Sequence, residues 1–368
     1  MKILWLTWKD MEHPYAGGAE LVNEEMASRL VEIGHEVIFL VAGWKDCSVE
    51  ISKNGYRVIR VGNQFTVYIL AFLYYRKNLS NWADIIIDEC NTVPFFAKFY
   101  AKCKTVLMIQ QYAREIWFYE MIFPFSLIGY LAEPIYLWLL RKETTFTFAK
   151  STKKDLIKYG YKESNIHVLS ETIRYKPLND LSDLIKFNNP TILFFSTFRK
   201  MKRPHHVIQA FNIASNKIPN LKLVMAGGKG RGNFLSKIMQ IIKNSPYSSN
   251  IEYLGPLYEE DKKRFMSKSH FICCTSIREG WGLIVTEAAS QGTPAIVYNV
   301  NGLRDAVNYG SAGIITESNT PEGLAEAIVK GFLYSHKYPD LQVAALDFSR
   351  QITVDKTFLE FNAAINAL

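Results

Sequence analysis

The sequence predicts an α/β protein made of two Rossmann-like domains, each a doubly wound parallel sheet covered by helices on both faces. Short apolar runs alternate with stretches of helical length in both halves of the chain. The alternation restarts after a polar, proline-containing stretch at 176–190. A length of 368 residues also suits two domains better than one.

Five strands are predicted in the first half of the chain, at 2–8, 36–42, 57–61, 84–88 and 105–109. A helix is predicted at 20–33, because Leu21, Met26 and Leu30 recur at near-helical spacing. Gly34 is expected to end that helix, since glycine favours the residue position just past a helix.

Six strands are predicted in the second half, at 191–196, 222–226, 251–254, 270–275, 294–298 and 313–316. Helices are predicted at 205–217 and 281–291, the latter well formed from 283 to 290. We therefore expect a first domain at 1–172 and a second at 173–349, with a final helix near 350–368 packing back on the first. Ligands of such sheets bind beyond the carboxyl ends of the strands, so we expect the two domains to face each other across a ligand-binding cleft.

Composition limits the class of protein. Hydrophobic residues make up 48% and charged residues 21%, which is typical of a globular chain. A net charge of +8 fits either a lysine-rich solvated surface or attraction to polyanions such as nucleotide diphosphates and lipid head groups. No nucleic-acid-binding motif is present, so we expect no nucleic-acid partner. Five cysteines without a CxxC pair, and no signal peptide, predict a cytoplasmic protein.

The most apolar stretch lies at 116–140 and is interrupted by two glutamates and two prolines, so it is not predicted to span a membrane. It has two interpretations. It is either a pair of core helices, or an apolar surface that meets a membrane or a lipid-linked acceptor beside Arg141 and Lys142. The second interpretation predicts peripheral contact with the inner face of the membrane.

Three loops follow predicted strands and carry residues suited to phosphate chemistry. Gly17 and Gly18 open the first helix, where backbone can approach an anion. The cationic run at 199–203 follows the strand at 191–196 and suits a phosphate clamp, with Pro204 starting the next helix. The run at 279–287 places two glycines before a helix. Each loop alone is as compatible with a simple turn as with a site.

Together these loops resemble the GT-B retaining glycosyltransferases of family 4. The family pattern EGFGLxxxEAxxxGTPVV is matched at 279–296 by EGWGLIVTEAASQGTPAI. The GGAE and GHEV motifs appear at 17–20 and 34–37, and the stretch STKKDL at 151–156 resembles the family's link toward the second domain. The resemblance implies an enzyme with an acceptor-binding first domain and a second domain that binds a nucleotide-sugar donor.

The resemblance also implies roles for matching residues. Glu279 would contact the hydroxyls of the donor sugar, and Glu287 the ribose hydroxyls. The backbone of Gly280, Trp281, Gly282, Leu283 and Ile284 would lie near the sugar and diphosphate, with Gly17 and Gly18 approaching the same diphosphate. Lys202 and an arginine would neutralise the departing phosphate.

Two positions depart from the family pattern. Thr197 stands where the family usually has an arginine, and Arg199 is the nearest replacement. Gln110 stands where many members have a histidine that contacts the donor sugar. An amide still hydrogen-bonds a sugar hydroxyl but carries no charge and shuttles no proton.

We therefore expect a metal-independent transfer of a sugar, with retention, from a UDP- or GDP-linked donor to a hydroxyl of a glycan or a lipid-linked glycan. Fixed cations stabilise a leaving diphosphate without a metal, and the sequence has no DxD pair to bind one. No cofactor is expected. Front-face attack is favoured, with Glu115 and Glu120 as the nearest nucleophiles for a double displacement. The alternatives are another GT-B enzyme, such as an epimerase or phosphorylase, and a catalytically impaired sugar-nucleotide-binding protein.

Overall fold

The computed structural model describes residues 1–230, 232–333 and 335–368. The strands are β1 Lys2–Leu6, β2 Glu36–Val41, β3 Glu50–Lys53, β4 Tyr56–Arg60, β5 Ile85–Glu89, β6 Lys104–Met108, β7 Thr145–Thr147, β8 Ile166–Val168, β9 Thr191–Phe195, β10 Lys222–Ala226, β11 Ile251–Tyr253, β12 Phe271–Cys274, β13 Ala295–Val297 and β14 Gly313–Ile315. The helices are α1 Gly18–Glu32, α2 Val67–Tyr74, α3 Trp117–Glu120, α4 Phe125–Leu140, α5 Lys150–Lys158, α6 Pro204–Ser215, α7 Phe234–Lys243, α8 Glu259–Lys268, α9 Leu283–Ser290, α10 Leu303–Ala306, α11 Pro321–Leu333, α12 Tyr338–Arg350 and α13 Val354–Asn366.

Every predicted strand and helix is present, and the ends lie within two residues of those expected, except that the final helix α13 begins at Val354 instead of near 350. α1 ends at Glu32, and Gly34 follows it with a φ of 89°, as predicted from the glycine. α6 begins at Pro204, also as predicted. The strands that were not predicted, β3, β7 and β8, are three or four residues long.

The first compact unit contains Met1–Arg114, Leu127–Thr172 and Val354–Leu368. Its sheet has the order β3-β4-β2-β1-β5-β6-β7-β8, and only the edge pair β3–β4 is antiparallel. The C-terminal helix α13 packs on this sheet through Phe361, whose ring stacks on Trp5 at 5.6 Å and meets the edge of Phe146 at 5.7 Å. These aromatic contacts bury the end of the chain in the core of its first half.

The second compact unit contains Glu115–Ser126 and Ile173–Thr353. Its sheet is entirely parallel, with the order β11-β10-β9-β12-β13-β14. Lys186 joins the polar stretch that precedes β9 to the rest of the second unit. Its ammonium donates hydrogen bonds to the carbonyls of Ser267, Ser269 and Gly292 at 2.8–2.9 Å. Because β9 and β12 are neighbours, the loops that follow them leave the sheet side by side.

The predicted first domain at 1–172 needs a correction. The segment Glu115–Ser126 packs with the second unit, because α3 lies against the turn at Lys200–Lys202. Two ion pairs also join the segment to this unit, Glu120 with Arg199 and Glu115 with Arg278. The second unit also extends to Thr353, beyond the predicted limit of 349.

The interpretation of 116–140 as a pair of core helices is wrong for α4. This helix buries Tyr136, Leu137 and Leu140. Its opposite side leaves Ile128 and Leu131 more than half exposed. α4 therefore has two apolar faces, of which only one packs on the protein.

Candidate active site

Glu279 lies in the loop between β12 and α9 and forms an ion pair with Lys202, which lies in the turn after β9. The hydroxyl of Ser276 donates to Glu279 Oε1 at 2.6 Å. Burial acts to raise the pKa of Glu279, but the charge of Lys202 and the two hydrogen bonds outweigh it. The pKa of this carboxyl therefore lies below its ordinary value, and Glu279 is an anion at neutral pH.

The two loops that carry this pair are joined by hydrogen bonds to backbone carbonyls. The side-chain hydroxyl of Thr275 donates to the carbonyls of Lys202 and Arg203, with distances of 2.8 and 3.1 Å from Oγ1. The N–H of Ile277 donates to the carbonyl of Met201 at 2.9 Å. The positions of Lys202 and Glu279 are thus fixed by the fold and do not rest on the ion pair alone.

Two glycines shape the loop before α9. Gly282 has a φ of 112°, which permits the sharp entry into the helix at Leu283. Gly302, in the loop after β13, has a φ of 78°, and a Cβ there would lie 2.3 Å from the carbonyl oxygen of Glu279. The loop after β13, which the sequence left without a role, therefore supports the backbone of Glu279 directly.

The predicted donor-binding backbone at 280–284 leads into α9, whose first turn has no side-chain cap among the described residues. The ring of Trp281 is turned toward α12, where it stacks on Phe348 at 6.4 Å. Its indole N–H faces the hydroxyl of Thr286 at 3.4 Å. The side chain of Trp281 is therefore a packing element, and its backbone is what remains for a ligand.

Glu287 lies in the second turn of α9 and is buried against Lys262 of α8, with Nζ and Oε2 2.7 Å apart. The ammonium of Lys262 also lies over the rings of Tyr175 and Phe195, at 5.3 and 5.1 Å from their centroids. A cation held in this way keeps Glu287 in place as a hydrogen-bond acceptor. Sequence reasoning missed Lys262, because nothing in the sequence pairs a lysine of one helix with a glutamate of another.

Arg199 is 39% exposed along its side chain, and its guanidinium lies 3.9 Å from Glu120. Glu115 meets Arg278 at 3.3 Å in the same part of the second unit. The two glutamates considered as nucleophiles thus both face arginines of the second unit. Arg199 also contributes to the low pKa of Glu279, so its positive charge is directed toward that carboxylate.

Gly17 and Gly18 lie at the start of α1 in the first unit. Gly17 has an extended backbone, and its N–H donates to Glu20 Oε2 at 2.7 Å. The same carboxylate oxygen lies 3.2 Å from Lys9 Nζ. The N–H of Gly17 is thus already occupied in this structure by the side chain of Glu20.

Gln110 follows β6 and donates from Nε2 to Glu89 Oε1 at 3.3 Å. Glu89 is the last residue of β5 and is buried. Its Oε2 accepts hydrogen bonds from the indole N–H of Trp5 at 3.1 Å and from the side-chain amide of Asn23. Burial and the nearby charge of Glu20 raise the pKa of Glu89 to about 8. Sequence reasoning missed Glu89, although an acidic residue at the carboxyl end of a buried strand is a usable signal.

A second glycine loop that sequence reasoning missed follows β10. A Cβ on Gly227 would lie 1.9 Å from the carbonyl oxygen of Ser196, and a Cβ on Gly230 would lie 2.4 Å from that of Phe198. This loop therefore packs backbone to backbone against the cationic loop after β9. The repeated glycines at 227, 228 and 230 were the available signal.

The second unit thus brings Lys202 and Glu279 together, with Arg199 nearby and Glu287 on the helix that follows. The first unit holds Gly17, Gly18 and Gln110 beyond the carboxyl ends of its own strands. Within the ranges that the structure describes, three or more His, Cys, Asp or Glu side chains nowhere cluster as a metal site.

Comparison with known proteins finds a family match in the second unit. Residues 181–337 match the model of glycosyl transferases group 1, a region that includes Lys202, Glu279 and Glu287. N-acetyl-alpha-D-glucosaminyl L-malate synthase of Bacillus anthracis is 22% identical over 354 residues, which cover 86% of this chain and 85% of the relative.

Solved structures show the same fold. Sucrose-phosphate synthase from Thermosynechococcus elongatus superposes with a TM-score of 0.81 at 15% identity, covering 100% of this chain and 98% of that one. HepE of Anabaena, solved in complex with UDP and glucose, gives a TM-score of 0.75 at 18% identity with both chains fully covered. The predicted two-domain α/β architecture and the GT-B fold are confirmed.

Proposed function

We propose that this glycosyltransferase moves a sugar, with retention at the anomeric carbon, from a UDP- or GDP-linked donor to a hydroxyl of a glycan or lipid-linked glycan. The observation that carries the proposal is the pair of Lys202 and Glu279 on interlocked loops, directly before the first turn of α9, where Leu283 and Ile284 are half-buried. That arrangement offers fixed positive charge, backbone N–H groups and an anionic acceptor within one short stretch of surface.

The chemistry of the leaving diphosphate explains why Lys202 and Glu279 would act at the same place. Cleavage of the sugar–phosphate bond leaves its electron pair on a diphosphate oxygen, whose negative charge must be stabilised. Lys202 and Arg199 would supply that stabilisation, while Glu279 accepts hydrogen bonds from the sugar hydroxyls. Glu287, fixed by Lys262, would accept hydrogen bonds from the ribose. The chemistry therefore needs no metal.

The donor class is supported by HepE, which was solved with UDP-glucose. The name of the Bacillus anthracis relative specifies an alpha-linked product, which fits retention when the donor sugar is itself alpha-linked. We infer front-face attack by the acceptor hydroxyl, with its proton passing toward the leaving diphosphate. Glu115 and Glu120 already face arginines, which lowers their value as nucleophiles. Gln110 would hydrogen-bond the donor sugar, and Gly17 and Gly18 would approach the diphosphate.

Ligand-induced thermal stabilisation tests donor binding. A panel of UDP- and GDP-sugars is screened, since a ligand that binds only the folded chain raises its Tm. The response is then compared for the wild type, Glu287→Gln and the control Glu252→Gln, an exposed acid on β11. We expect one base to stabilise the wild type and the control, and Glu287→Gln to lose most of the shift.

Transfer is tested separately, by following the appearance of free UDP or GDP with and without an acceptor panel. Nucleotide release that needs an acceptor supports transfer. Turnover of the donor without any acceptor would instead identify an epimerase or phosphorylase. Donor binding without any turnover would identify a sugar-nucleotide-binding protein that has lost activity, and no binding at all would refute the donor assignment.

A further inference from the structure

The first unit exposes apolar side chains on two of its helices. On α2 and the turn before it, Phe65, Ile69 and Leu73 are 70%, 66% and 52% exposed. On α4 a longer row of exposed apolar side chains follows, and it consists of Ile128, Leu131, Ile135 and Trp138. Soluble surfaces carry such residues singly, so two rows of them in one unit call for an explanation.

The rows lie on the same side of the sheet. α2 connects β4 to β5 and α4 connects β6 to β7, and both connections cross the sheet in the same direction. Right-handed crossovers then place both helices on one face. Aromatic contacts join them through the segment between β5 and β6, since Tyr68 meets Phe95 at 4.8 Å and Phe96 meets Tyr136 at 6.3 Å. We call the exposed rows of α2 and α4 together the apolar face.

The exposed row of α4 is not a sign of poor packing. Its residues follow one another at steps of three, four and three, which keeps them on one side of the helix. The other side buries Tyr136, Leu137 and Leu140. Glu133 is also buried there and accepts the backbone N–H groups of Ala113 and Arg114. The buried side therefore holds α4 on the first unit, and the exposed row is not part of the core.

The charges around the apolar face have one sign. Neither 65–80 nor 93–104 contains an acidic residue, and Glu133 is the only one in 122–142. Cationic side chains end both helices: Arg76 and Lys77 follow α2, and Arg141 and Lys142 follow α4. Arg141 lies over the ring of Trp138, 3.8 Å from its centroid.

We propose that the apolar face docks this protein on an anionic lipid bilayer. The apolar rows would enter the boundary between head groups and acyl chains, and the cations at the helix ends would meet the phosphates. Trp138 under Arg141 has the mixed apolar and polar character that suits that boundary. None of the described helices is long and apolar enough to cross a membrane.

A second copy of the chain fits the same surface less well. A symmetric dimer through the apolar face would bring the cations of one copy toward those of the other, with no exposed acid among these segments to offset them. A bilayer that contains anionic lipid provides both the apolar depth and the negative charge. The negative charge of its head groups would balance the cations that end α2 and α4.

Vesicle sedimentation tests the proposal with the full chain and no donor, so its outcome does not depend on the proposed reaction. Vesicles of phosphatidylcholine alone are compared with vesicles that contain an equal share of phosphatidylglycerol. The test variants are Ile128→Ser/Leu131→Ser/Ile135→Ser on α4 and Ile69→Ser/Leu73→Ser on α2. The matched control is Ile185→Ser/Leu359→Ser, which replaces residues that are 76% and 66% exposed elsewhere.

We expect the wild type and the control to bind the anionic vesicles, and each test variant to lose about tenfold or more in partitioning. Arg141→Gln/Lys142→Gln should weaken binding to anionic vesicles only. Far-UV circular dichroism and Tm establish that each variant is folded, as expected for exposed positions. Lysine-to-glutamine changes at Lys158 and Lys243, outside the apolar face, serve as the charge control.

Three outcomes would overturn the proposal. The first is a wild type that ignores anionic vesicles, and the second is a folded α4 variant that binds as well as the wild type. The third is a lipid-free dimer, detected by light scattering, that the α4 variant converts to a monomer, because the apolar face would then be covered by a second copy.

Discussion

The ion pair of Lys262 and Glu287 allows the stability of the second unit to be separated from its binding of a donor. Both side chains are nearly buried, with 11% and 5% exposure, and their charged atoms are 2.7 Å apart. Lys262→Met removes the cation and leaves a buried carboxylate without its partner. Loss of one member of a buried pair costs about 3–5 kcal/mol of unfolding free energy.

The double variant Lys262→Met/Glu287→Gln removes both charges together. Because no unpaired charge then remains, it should recover most of the stability that Lys262→Met loses. It should not recover full donor binding, since the carboxylate proposed to accept from both ribose hydroxyls has become a neutral amide with one acceptor oxygen. The expected pattern is therefore a stable double variant whose Tm a nucleotide-sugar raises much less than it raises the Tm of the wild type.

Urea unfolding, followed by far-UV circular dichroism, gives the three free energies, and the donor-induced Tm shift gives binding. Lys262→Gln is not a suitable substitute, because its amide still donates to Glu287. A loss below about 1 kcal/mol for Lys262→Met, the level of an exposed pair, would refute the argument from burial. A double variant that binds donor like the wild type would refute the role given to Glu287.

Three further predictions concern other residues of the candidate active site. Lys202→Met should lower kcat by about 10²–10³-fold, as loss of one transition-state charge partner does, while Lys200→Met, at an exposed position of the same turn, should change it little. Gly302→Ala should destabilise more than Gly34→Ala in urea unfolding, since both need a positive φ but only the first drives a Cβ into the carbonyl of Glu279. Glu89 holds a proton up to a pKa of about 8 in the folded chain, against 4.5 as its ordinary value, so unfolding free energy should fall as pH rises between these values. Glu89→Gln should reduce that slope by up to about 1.4 kcal/mol per pH unit.

Each of these has a result that would count against it. Equal rates for the two lysine variants would remove Lys202 from the leaving-group site. Equal losses for the two glycine variants would mean that the loop after β13 gives way without disturbing Glu279. An unchanged pH slope in Glu89→Gln would mean that this carboxyl is ionised in the folded protein.

The fold was largely predictable because buried parallel strands leave a clear pattern of apolar runs separated by helices. β3 escaped prediction since it is a half-exposed edge strand made of Glu50, Ile51, Ser52 and Lys53, with little apolar signal. β7 and β8 are three residues each, too short for a periodic pattern. The grouping of Glu115–Ser126 with the second unit depends on side-chain pairing across a long sequence separation, which no local pattern contains.

The site was predictable where a loop follows a strand directly, as for Lys202 and Glu279. What the sequence did not contain was the second layer of contacts, namely Lys262 behind Glu287, Glu89 behind Gln110 and Gly302 under Glu279. These partners lie on elements that are distant in the chain, and their roles depend on packing. The resemblance to a family supplied roles for the first layer only.

The path of the backbone between the two units has a consequence for domain exchange. The chain changes unit at Arg114, Ser126, Thr172 and Thr353, so neither unit is a continuous stretch of sequence. A chimera made with one junction near residue 172 would carry a second unit without its own Glu115–Ser126 and a first unit with a foreign C-terminal helix against Trp5. An intact second unit would therefore be grafted only when the stretch 115–126 is exchanged together with 173–353.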